Sequence, residues 1–452
     1  MRLTVWLPLA ALSALTVCGA ATRPRYGGTL RVEMRAAPST LGPGAPDAAP
    51  FALLLFETLV RLDPAGASQP CLALSWQHDP AFKRWQFNLR PGVRFHDGSP
   101  FTAVAAVASL QAALPGVTIA ATAGDIITMR SSQPLPDLPL ALSHNGLIFQ
   151  RGPQGAPFGT GPFHLAAFQP GRRATFAANQ DYWGGRPFLD AIDVQLGRTL
   201  RDQWANLELG KADVVELGPN DLRRASDRGR TVWTSSPISL IALAFTGARD
   251  ATEVRIRQAL AFSIDRAPMH TVLLQKQGES TAALLPQWIS GYAFAFPTAP
   301  DLPRARALAN SLPPPARAIA LTYDPLMRTA RALAERIAVN ARDAGLTVQV
   351  APQNPRAGVR LVEVRLTSLV PAQALAGFAA ALGLPAPAAP AESAAALYEA
   401  ERQLLDGSPA IPLFHLPVIY GAAARVRVYA PPAITRLGDW QFDNLWLDGP
   451  PP

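Results

Sequence analysis

His96 and Asp97 stand side by side in the stretch FNLRPGVRFHDGSPFTA, directly before Gly98. A histidine next to a carboxylate can serve in general acid–base chemistry or metal binding, or can simply shape a turn. Asp-Gly is a favoured turn pair, and adjacent residues in an extended segment point to opposite sides. We therefore expect a structural turn here, with no catalytic residue, although a catalytic pair is the alternative.

No other motif of established chemistry replaces this pair. The six histidines do not lie at metal-ligand spacing, and neither HExxH nor a cysteine-histidine cluster is present, so we expect no metal site. GxSxG, GxxxxGK[ST] and GxGxxG are also missing. The string FGTGPF, residues 158–163, lacks the lysine of a phosphate loop and reads as a sharp turn entering a strand. We therefore expect no enzyme and no cofactor.

The first residues are typical of an export signal. Arg2 precedes an uncharged run from Leu3 to Val17, and small residues follow at positions 19–21. We expect residues 1–21 to be a signal peptide and the mature chain to be periplasmic or extracellular. An uncut membrane anchor is one alternative. A lipid anchor at Cys18 is another, since Leu-Thr-Val-Cys loosely resembles a lipobox, although Val17 is bulkier than that pattern prefers.

Composition describes a folded chain with a positive surface. At 452 residues it has room for roughly three domains, and 49% of its residues are apolar. The net charge is +8, carried almost entirely by single, scattered arginines rather than by a basic run. This pattern predicts no nucleic-acid partner. Only Cys71 remains after the signal, so no intramolecular disulfide can form in the mature chain.

Strand and helix patterns alternate along the chain. Residues 29–34 alternate as a strand, and Trp85, Phe87 and Leu89 do the same. After Pro91-Gly92, a second short strand is expected at Val93 and Phe95. Thr102 is expected to cap a helix that ends at Leu114.

The second half of the chain predicts α/β units. Asp250 and Glu253 form an approximate capping box before an amphipathic helix. A further helix from about Arg328 to Gly345 precedes the strand LTVQV. The Pro-rich stretches at 300–315 and 385–390 predict loops or hinges on the surface.

Several segments, in order, resemble one family. They are YGGTLRVEM, FETLVRLDPAG, RPGVRFHDGSPFTA, NQDYWGG, EVRIRQALAFSIDR and DGSPAIPLFH. The resemblance is to extracellular solute-binding protein family 5, the oligopeptide-, dipeptide- and nickel-binding proteins of bacterial ABC importers. It implies a two-lobed α/β fold of the periplasmic-binding-protein type, with an additional domain inserted in the first lobe, that closes around its ligand by hinge motion.

The resemblance also divides the chain. We expect the signal peptide at 1–21, the first part of lobe I at 22–63, an inserted subdomain at 64–155 and the second part of lobe I at 156–238. Lobe II is expected at 239–422, followed by a C-terminal return to lobe I at 423–452.

The implied function is capture of a small organic solute, peptide-like or other, by a monomer that delivers it to an ABC permease in the inner membrane. One departure concerns residues 351–391, where the family usually carries a tryptophan and an Asp-Pro loop whose acidic residue binds a peptide amino terminus. This chain has neither Trp nor Asp there, so that anchor cannot be assigned and the C-terminal lobe is shortened. The alternative is a degenerate exported structural or interaction module that has lost family ligand binding.

Four residues are candidate ligand contacts. Phe245, Trp288 and Tyr292 lie near the expected lobe junction, and solute pockets are largely apolar and aromatic. Arg360, or alternatively Arg365, would face an anionic ligand. Core packing of the aromatic side chains and a solvated arginine are the competing interpretations.

Overall fold

A computed structural model describes residues 23–122, 124–144, 146–152, 156–246, 251–292, 296–327, 329–387 and 393–449. The expected signal peptide and Cys18 lie outside the described residues. So do Asp250 and Arg328, which were expected to start two helices, and residues 388–390 of the second Pro-rich stretch.

Fifteen of the described strands lie in the first half of the chain. In chain order these are β1 (Thr29–Glu33), β2 (Glu57–Thr58), β3 (Val60–Leu62), β4 (Ser68–Pro70), β5 (Ala73–His78), β6 (Arg84–Leu89), β7 (Val117–Thr122), β8 (Ile126–Ser131), β9 (Leu147–Ile148), β10 (Gln150–Arg151), β11 (Pro157–Phe158), β12 (Phe163–Gln169), β13 (Arg173–Ala178), β14 (Ala191–Gln195) and β15 (Val214–Glu216). The strands that follow are β16 (Thr231–Phe245), β17 (Glu279–Ser280), β18 (Ala318–Tyr323), β19 (Thr347–Pro352), β20 (Val359–Arg365), β21 (Ala410–Ala422), β22 (Val426–Val428) and β23 (Leu445–Leu447).

Helices are concentrated in the second half. They are α1 (Ala52–Leu55), α2 (Ala103–Ala113), α3 (Leu138–Leu142), α4 (Leu200–Glu208), α5 (Asp221–Asp227), α6 (Ala251–Ser263), α7 (Arg266–Pro268), α8 (Gln287–Ser290), α9 (Leu302–Asn310), α10 (Ala330–Asp343), α11 (Pro371–Ala381) and α12 (Ala394–Leu405). The predicted helices at 102–114, 250–264 and 328–345 are confirmed as α2, α6 and α10. As expected, the Thr102 side chain accepts a hydrogen bond from the Ala105 N–H.

One sheet joins two lobes. Its strand order is β12-β13-β14-β1-β15-β21-β16-β20-β18-β19, and β17 also pairs with β21. The long strands β16 and β21 belong to both lobes: β21 meets β15 in the first lobe, and β16 meets β20 in the second. The two-lobed α/β architecture expected from the family resemblance is thereby confirmed.

Apolar runs explain why β16 lies in the middle of this sheet. Ile241 and Leu243 pack on one face against α10, whereas Leu240 and Ala242 pack on the other face with the core of α11. A strand that is buried on both faces has a continuous rather than an alternating apolar sequence. The stretch ISLIALAF follows that rule.

A separate unit is inserted in the first lobe. Strands β5, β6, β8 and β7 form a four-stranded antiparallel sheet with its own core, in which Phe87, Leu110 and Ile127 are buried against α2 and α3. The core of the first lobe is distinct and is centred on Leu30, Phe51 and Trp440. Trp440 shows how the C-terminal segment returns to complete that lobe.

Two local expectations were wrong. Val93 and Phe95 do not form a second strand, because the chain reverses at Asp97 and leaves only an isolated bridge between Arg94 and Pro100. The stretch 300–315 is not a continuous loop, since it contains α9. Proline is compatible with the first turn of a helix, where its missing N–H is not needed, and Asp301 accepts a hydrogen bond from the Arg304 N–H as the N-cap.

Candidate functional site

One cavity lies where the two lobes and the inserted unit meet. This main cavity has a volume of about 660 Å³, within the range of small-molecule sites. It lies between the β3–β4 turn, the middle of β16 and the segment 430–444, and Leu369 is its contribution from the second lobe. Its titratable lining residues are Arg61, Asp63, His144, Arg436, Asp439 and Asp443.

The sheet supports this cavity through an interruption in the two long strands. The register of β16 and β21 shifts between Thr234 and Ser239, around the pair Pro237 and Pro417. Neither proline has an N–H to donate, and the Val418 N–H donates instead to Ser235 Oγ at 2.9 Å. Ser235 therefore connects the strands at the point where they pass from one lobe to the other.

Arg365 connects the lobes beside the cavity. Its guanidinium donates to Asp439 Oδ1 at 2.9 Å and to the carbonyl oxygen of Leu437. Asp439 also accepts a hydrogen bond from the Thr435 hydroxyl at 3.0 Å. His144 Nδ1 lies 4.0 Å from the same carboxylate, and burial lowers the pKa of this histidine. Arg365 is therefore the cation that balances Asp439.

A second cavity, of about 500 Å³, lies on the other side of Arg365. Its lining includes Met34, which follows β1 of the first lobe, and Asp324, which follows β18 of the second. Both strands are paired in parallel, and open α/β sheets usually bind ligands at the carboxyl ends of such strands. Arg35 spans it, since its backbone N–H donates to Glu216 at 2.6 Å and its guanidinium donates to the Leu326 carbonyl at 2.8 Å. This cavity is smaller and is already crossed by a contact between the lobes.

None of the four candidate ligand contacts lines either cavity. Tyr292 is 8% exposed, and its hydroxyl donates to the buried carboxylate of Glu401 in the core of the second lobe. Phe245 lies at the end of β16 away from the first lobe, and the guanidinium of Arg257 lies over its ring. Arg360 is an exposed residue of β20 near the same end of β16.

Trp288 and Arg365 lie closer to the main cavity. The Trp288 Nε1–H donates to the Pro237 carbonyl at 2.9 Å, and the guanidinium of the lining residue Arg436 lies 4.8 Å from a Trp288 ring centroid. Arg365, the alternative to Arg360, lines the second cavity and hydrogen-bonds two residues of the main one. The two arginines occupy different ends of β20, and only Arg365 lies between the lobes.

His96 and Asp97 bind different partners, as a turn requires. The His96 Nε2–H donates to the Gly161 carbonyl at 3.0 Å, and Nδ1 accepts from the Gly159 N–H at 3.4 Å. Asp97 Oδ1 accepts hydrogen bonds from the Ser99 N–H and hydroxyl. Burial lowers the pKa of His96 to about 4, so the ring is neutral at physiological pH. This arrangement matches the structural turn expected from the sequence.

Glu57 is the centre of a buried polar network between the inserted unit and the first lobe. Its carboxylate accepts from Thr160 Oγ1 at 2.8 Å, Tyr182 OH at 2.9 Å and Trp183 Nε1 at 2.9 Å. Burial raises its pKa to about 7. The network therefore joins FETLV and NQDYWGG, two stretches that carried the family resemblance, to the turn string FGTGPF.

The residues that line the main cavity carry no recognisable sequence pattern. Arg61 lies within the segment FETLVRLDPAG, but nothing in that segment marks it as a cavity residue. Arg436 and Asp443 lie in an irregular C-terminal segment with no periodic pattern. Their role depends on the return of the chain to the first lobe, which no local signal reveals.

The described ranges contain no candidate metal cluster and no helix suited to span a membrane. No group of three or more His, Cys, Asp or Glu side chains there could hold a metal ion. None of the helices in the same ranges has the length and apolar character needed to cross a membrane.

The sequence profile of the bacterial extracellular solute-binding proteins, family 5 (middle), matches residues 67–370. Among curated relatives, the nickel-binding periplasmic protein of Escherichia coli K12 is 27% identical over 244 residues, which are 47% of this chain and 47% of that protein. The chain spans about half the length of the curated nickel-binding relatives that it matches.

Solved structures resemble the fold more extensively. NikA from Staphylococcus aureus in complex with Ni(L-His)2 has a TM-score of 0.79 at 18% identity, covering 93% of this chain and 100% of that one. The dipeptide-binding protein from Pseudoalteromonas sp. SM9913 in complex with Met-Leu has a TM-score of 0.79 at 16% identity, with the same coverage. At these identities the similarity shows the two-lobed fold alone.

Proposed function

The chain belongs to the bacterial extracellular solute-binding proteins of family 5, and from this membership we propose that it captures a small organic solute in the main cavity. The observation that carries the proposal is a cavity of about 660 Å³ at the junction of the lobes. Its wall combines apolar side chains such as Leu62 and Leu369 with polar groups such as Ser236 and Gln441. Solute sites have this mixed character.

Capture works by closure of the lobes about β16 and β21. Two prolines interrupt the pairing of these strands at the crossing, so bending there breaks few ladder hydrogen bonds. A solute shifts the equilibrium toward the closed form only to the extent that it binds that form more tightly. The loaded protein, acting as a monomer, then delivers the solute to an ABC permease.

The direct test is a thermal-shift panel of peptides, opines, sugars and nickel chelates with purified protein. A solute at 100 times its dissociation constant stabilises the native state by about 2.7 kcal/mol. A Leu369→Trp variant fills the cavity and should abolish the shift, whereas Leu209→Trp on the exposed surface of the first lobe should retain it. Silence across the panel would instead favour a structural or interaction module without a solute.

Export is part of the same proposal. A basic residue, an apolar run and small residues at the start of the sequence support cleavage near Ala20 or Ala21. Mass spectrometry of the mature amino terminus tests this. A terminus at residue 21 or 22 supports a soluble exported form, a diacylated Cys18 supports a lipid anchor, and an intact Met1 contradicts both.

A further inference from the structure

We propose that the solute of the main cavity is a small organic anion, with an apolar body and a carboxylate that binds Arg61 and Arg436. The inference rests on the proposed function, because it assigns a substrate class to the same cavity. It depends on which charged groups of the wall are already balanced by the protein and which remain available to a ligand.

The acidic groups of the wall have partners within the protein. Asp439 is balanced by Arg365 and hydrogen-bonded by Thr435. Asp63 closes the β3–β4 turn, where it accepts from the Ala67 N–H at 2.9 Å and from Gln69 Nε2 at 3.1 Å. Neither carboxylate needs a cation from a ligand.

Asp443 is the remaining carboxylate and lies in the field of Arg61. Its Oδ2 accepts from Asn444 Nδ2 at 3.0 Å, and burial raises its pKa despite the nearby positive charge of Arg61. A raised pKa means that the site disfavours the ionised form of this carboxyl group. Asp443 therefore already has an amide donor and a nearby positive charge within the wall.

The two cations of the wall, Arg61 and Arg436, differ from its carboxylates in their partners. Within the described part of the chain, the guanidinium groups of Arg61 and Arg436 make no ion pair and no hydrogen bond to a carboxylate. Arg436 lies over the ring of Trp288, which orients the cation without using its hydrogen-bond donors. Guanidinium groups suit carboxylates because their paired N–H groups match the two oxygens.

The second lobe supports the same substrate class. Its contribution to the lining is Leu369, an apolar side chain that follows β20. A solute that spans the cavity therefore meets guanidinium groups on the first-lobe side and an apolar contact on the other. An uncharged amino end, such as an acylated amine, fits this wall better than a free ammonium.

Equilibrium dialysis with mass-spectrometric detection tests the assignment. The probes are N-acetyl amino acids and N-acetyl dipeptides, their neutral C-terminal amides, the corresponding free dipeptides, neutral sugars, and nickel-histidine complexes. We expect the N-acetylated acids to be retained most strongly and their amides at least about tenfold less, since a charge-assisted hydrogen bond is lost.

The variants locate the anion. Arg61→Gln combined with Arg436→Gln should lower retention of the acids about tenfold or more, whereas Arg436→Lys, which keeps the charge, should lower it less. Arg201→Gln, on the exposed surface of α4, is the matched control and should leave retention unchanged. Circular dichroism and the melting temperature verify that each variant is folded.

The outcomes separate this inference from the proposed function. Equal retention of acids and amides, preferential retention of sugars, free dipeptides or nickel complexes, or an unaffected double variant would each overturn the anion assignment while solute capture stands. Retention of no probe by natively folded protein would overturn both proposals.

Discussion

At the scale of single residues, burial decides how charged groups of this protein behave. Glu57 is 5% exposed and surrounded by neutral donors, so its pKa is raised to about 7. His415 is fully buried, and burial lowers its pKa to about 4. Both groups are therefore driven toward their neutral forms, which is the usual consequence of removing a charge from water.

We expect Glu57→Gln to change the pH dependence of stability. A carboxyl group whose folded pKa is raised stabilises the folded state fully below its unfolded pKa, and this stability is lost as pH rises through about 7. The variant should therefore gain stability relative to the parent between pH 4.5 and 8, by up to about 3 kcal/mol. Urea unfolding across that range measures the difference.

The control is Glu335→Gln, which changes an exposed carboxylate on α10. It should show the same pH profile as the parent. A constant difference in unfolding free energy between Glu57→Gln and the parent at all pH values would show that the Glu57 pKa is not raised by folding.

At the scale of elements, close backbone approach explains the glycines of FGTGPF. A Cβ on Gly161 would lie 2.5 Å from the Leu54 carbonyl oxygen, and one on Gly159 would lie 2.3 Å from that of Leu55. The Gly161 N–H also donates to the Leu55 carbonyl at 3.0 Å. Because these two positions lack a Cβ, β12 can begin directly against the end of α1. The turn expected from the sequence therefore also requires glycine for steric reasons.

Gly161→Ala should lower the free energy of unfolding by about 3 kcal/mol, because the added methyl group displaces backbone at α1. Denaturant unfolding measures the loss. Gly358→Ala is the matched control, since a Cβ there meets nothing within 4 Å, and it should change stability by no more than about 0.5 kcal/mol. Equal effects of the two substitutions would contradict the steric explanation.

Thr102→Ala should destabilise α2 by about 1 kcal/mol, because the Ala105 N–H loses its side-chain acceptor. Hydrogen exchange of the α2 amides and denaturant unfolding both measure this change. Thr102→Ser keeps the acceptor and should restore most of the stability. A Ser variant as unstable as the Ala variant would assign the effect to the lost methyl group instead.

At the scale of the whole molecule, a few side chains join the lobes without a ligand. Arg365 reaches Asp439, Arg35 reaches the Leu326 carbonyl, and Arg436 lies over Trp288. These contacts are polar and local. An apolar contact accompanies them, since Leu437 of the C-terminal segment packs with the second-lobe core around α11. Under the proposed lobe closure, the balance between open and closed forms should therefore be sensitive to the Arg365–Asp439 ion pair.

Arg365→Met should shift that balance toward an open form. Removing one partner of a buried ion pair costs about 3–5 kcal/mol. This cost destabilises the conformation in which Asp439 lies beside residue 365 and has lost its cation. Spin labels at Arg201→Cys and Arg336→Cys, with Cys71→Ser, report the distance between the lobes. We expect a longer mean distance and a broader distribution in pulsed electron resonance.

Arg342→Met, an exposed arginine at the end of α10, is the control for this measurement and should leave the distribution unchanged. The same distribution for Arg365→Met and the parent would mean that the ion pair does not set the lobe arrangement.

The sequence by itself determined the family, the two-lobed fold and much of the local structure. Helix α2 with its Thr102 cap, helix α10 and the turn at Asp97 follow from short-range capping, periodicity and turn preferences. Two of the segments that carried the resemblance, FETLVRLDPAG and NQDYWGG, meet in one buried network through the hydrogen bond from Trp183 to Glu57.

Only the tertiary structure decided which residues surround the cavity. Arg61 and Arg436 are 375 positions apart in the sequence. Both line the main cavity because the C-terminal segment returns to the first lobe. Tyr292 lies in the core of the second lobe, where its hydroxyl group donates to Glu401 on α12. Cavity walls are assembled by long-range packing, whereas capping and turn preferences act over a few residues, so a single sequence predicts the elements before it predicts the site.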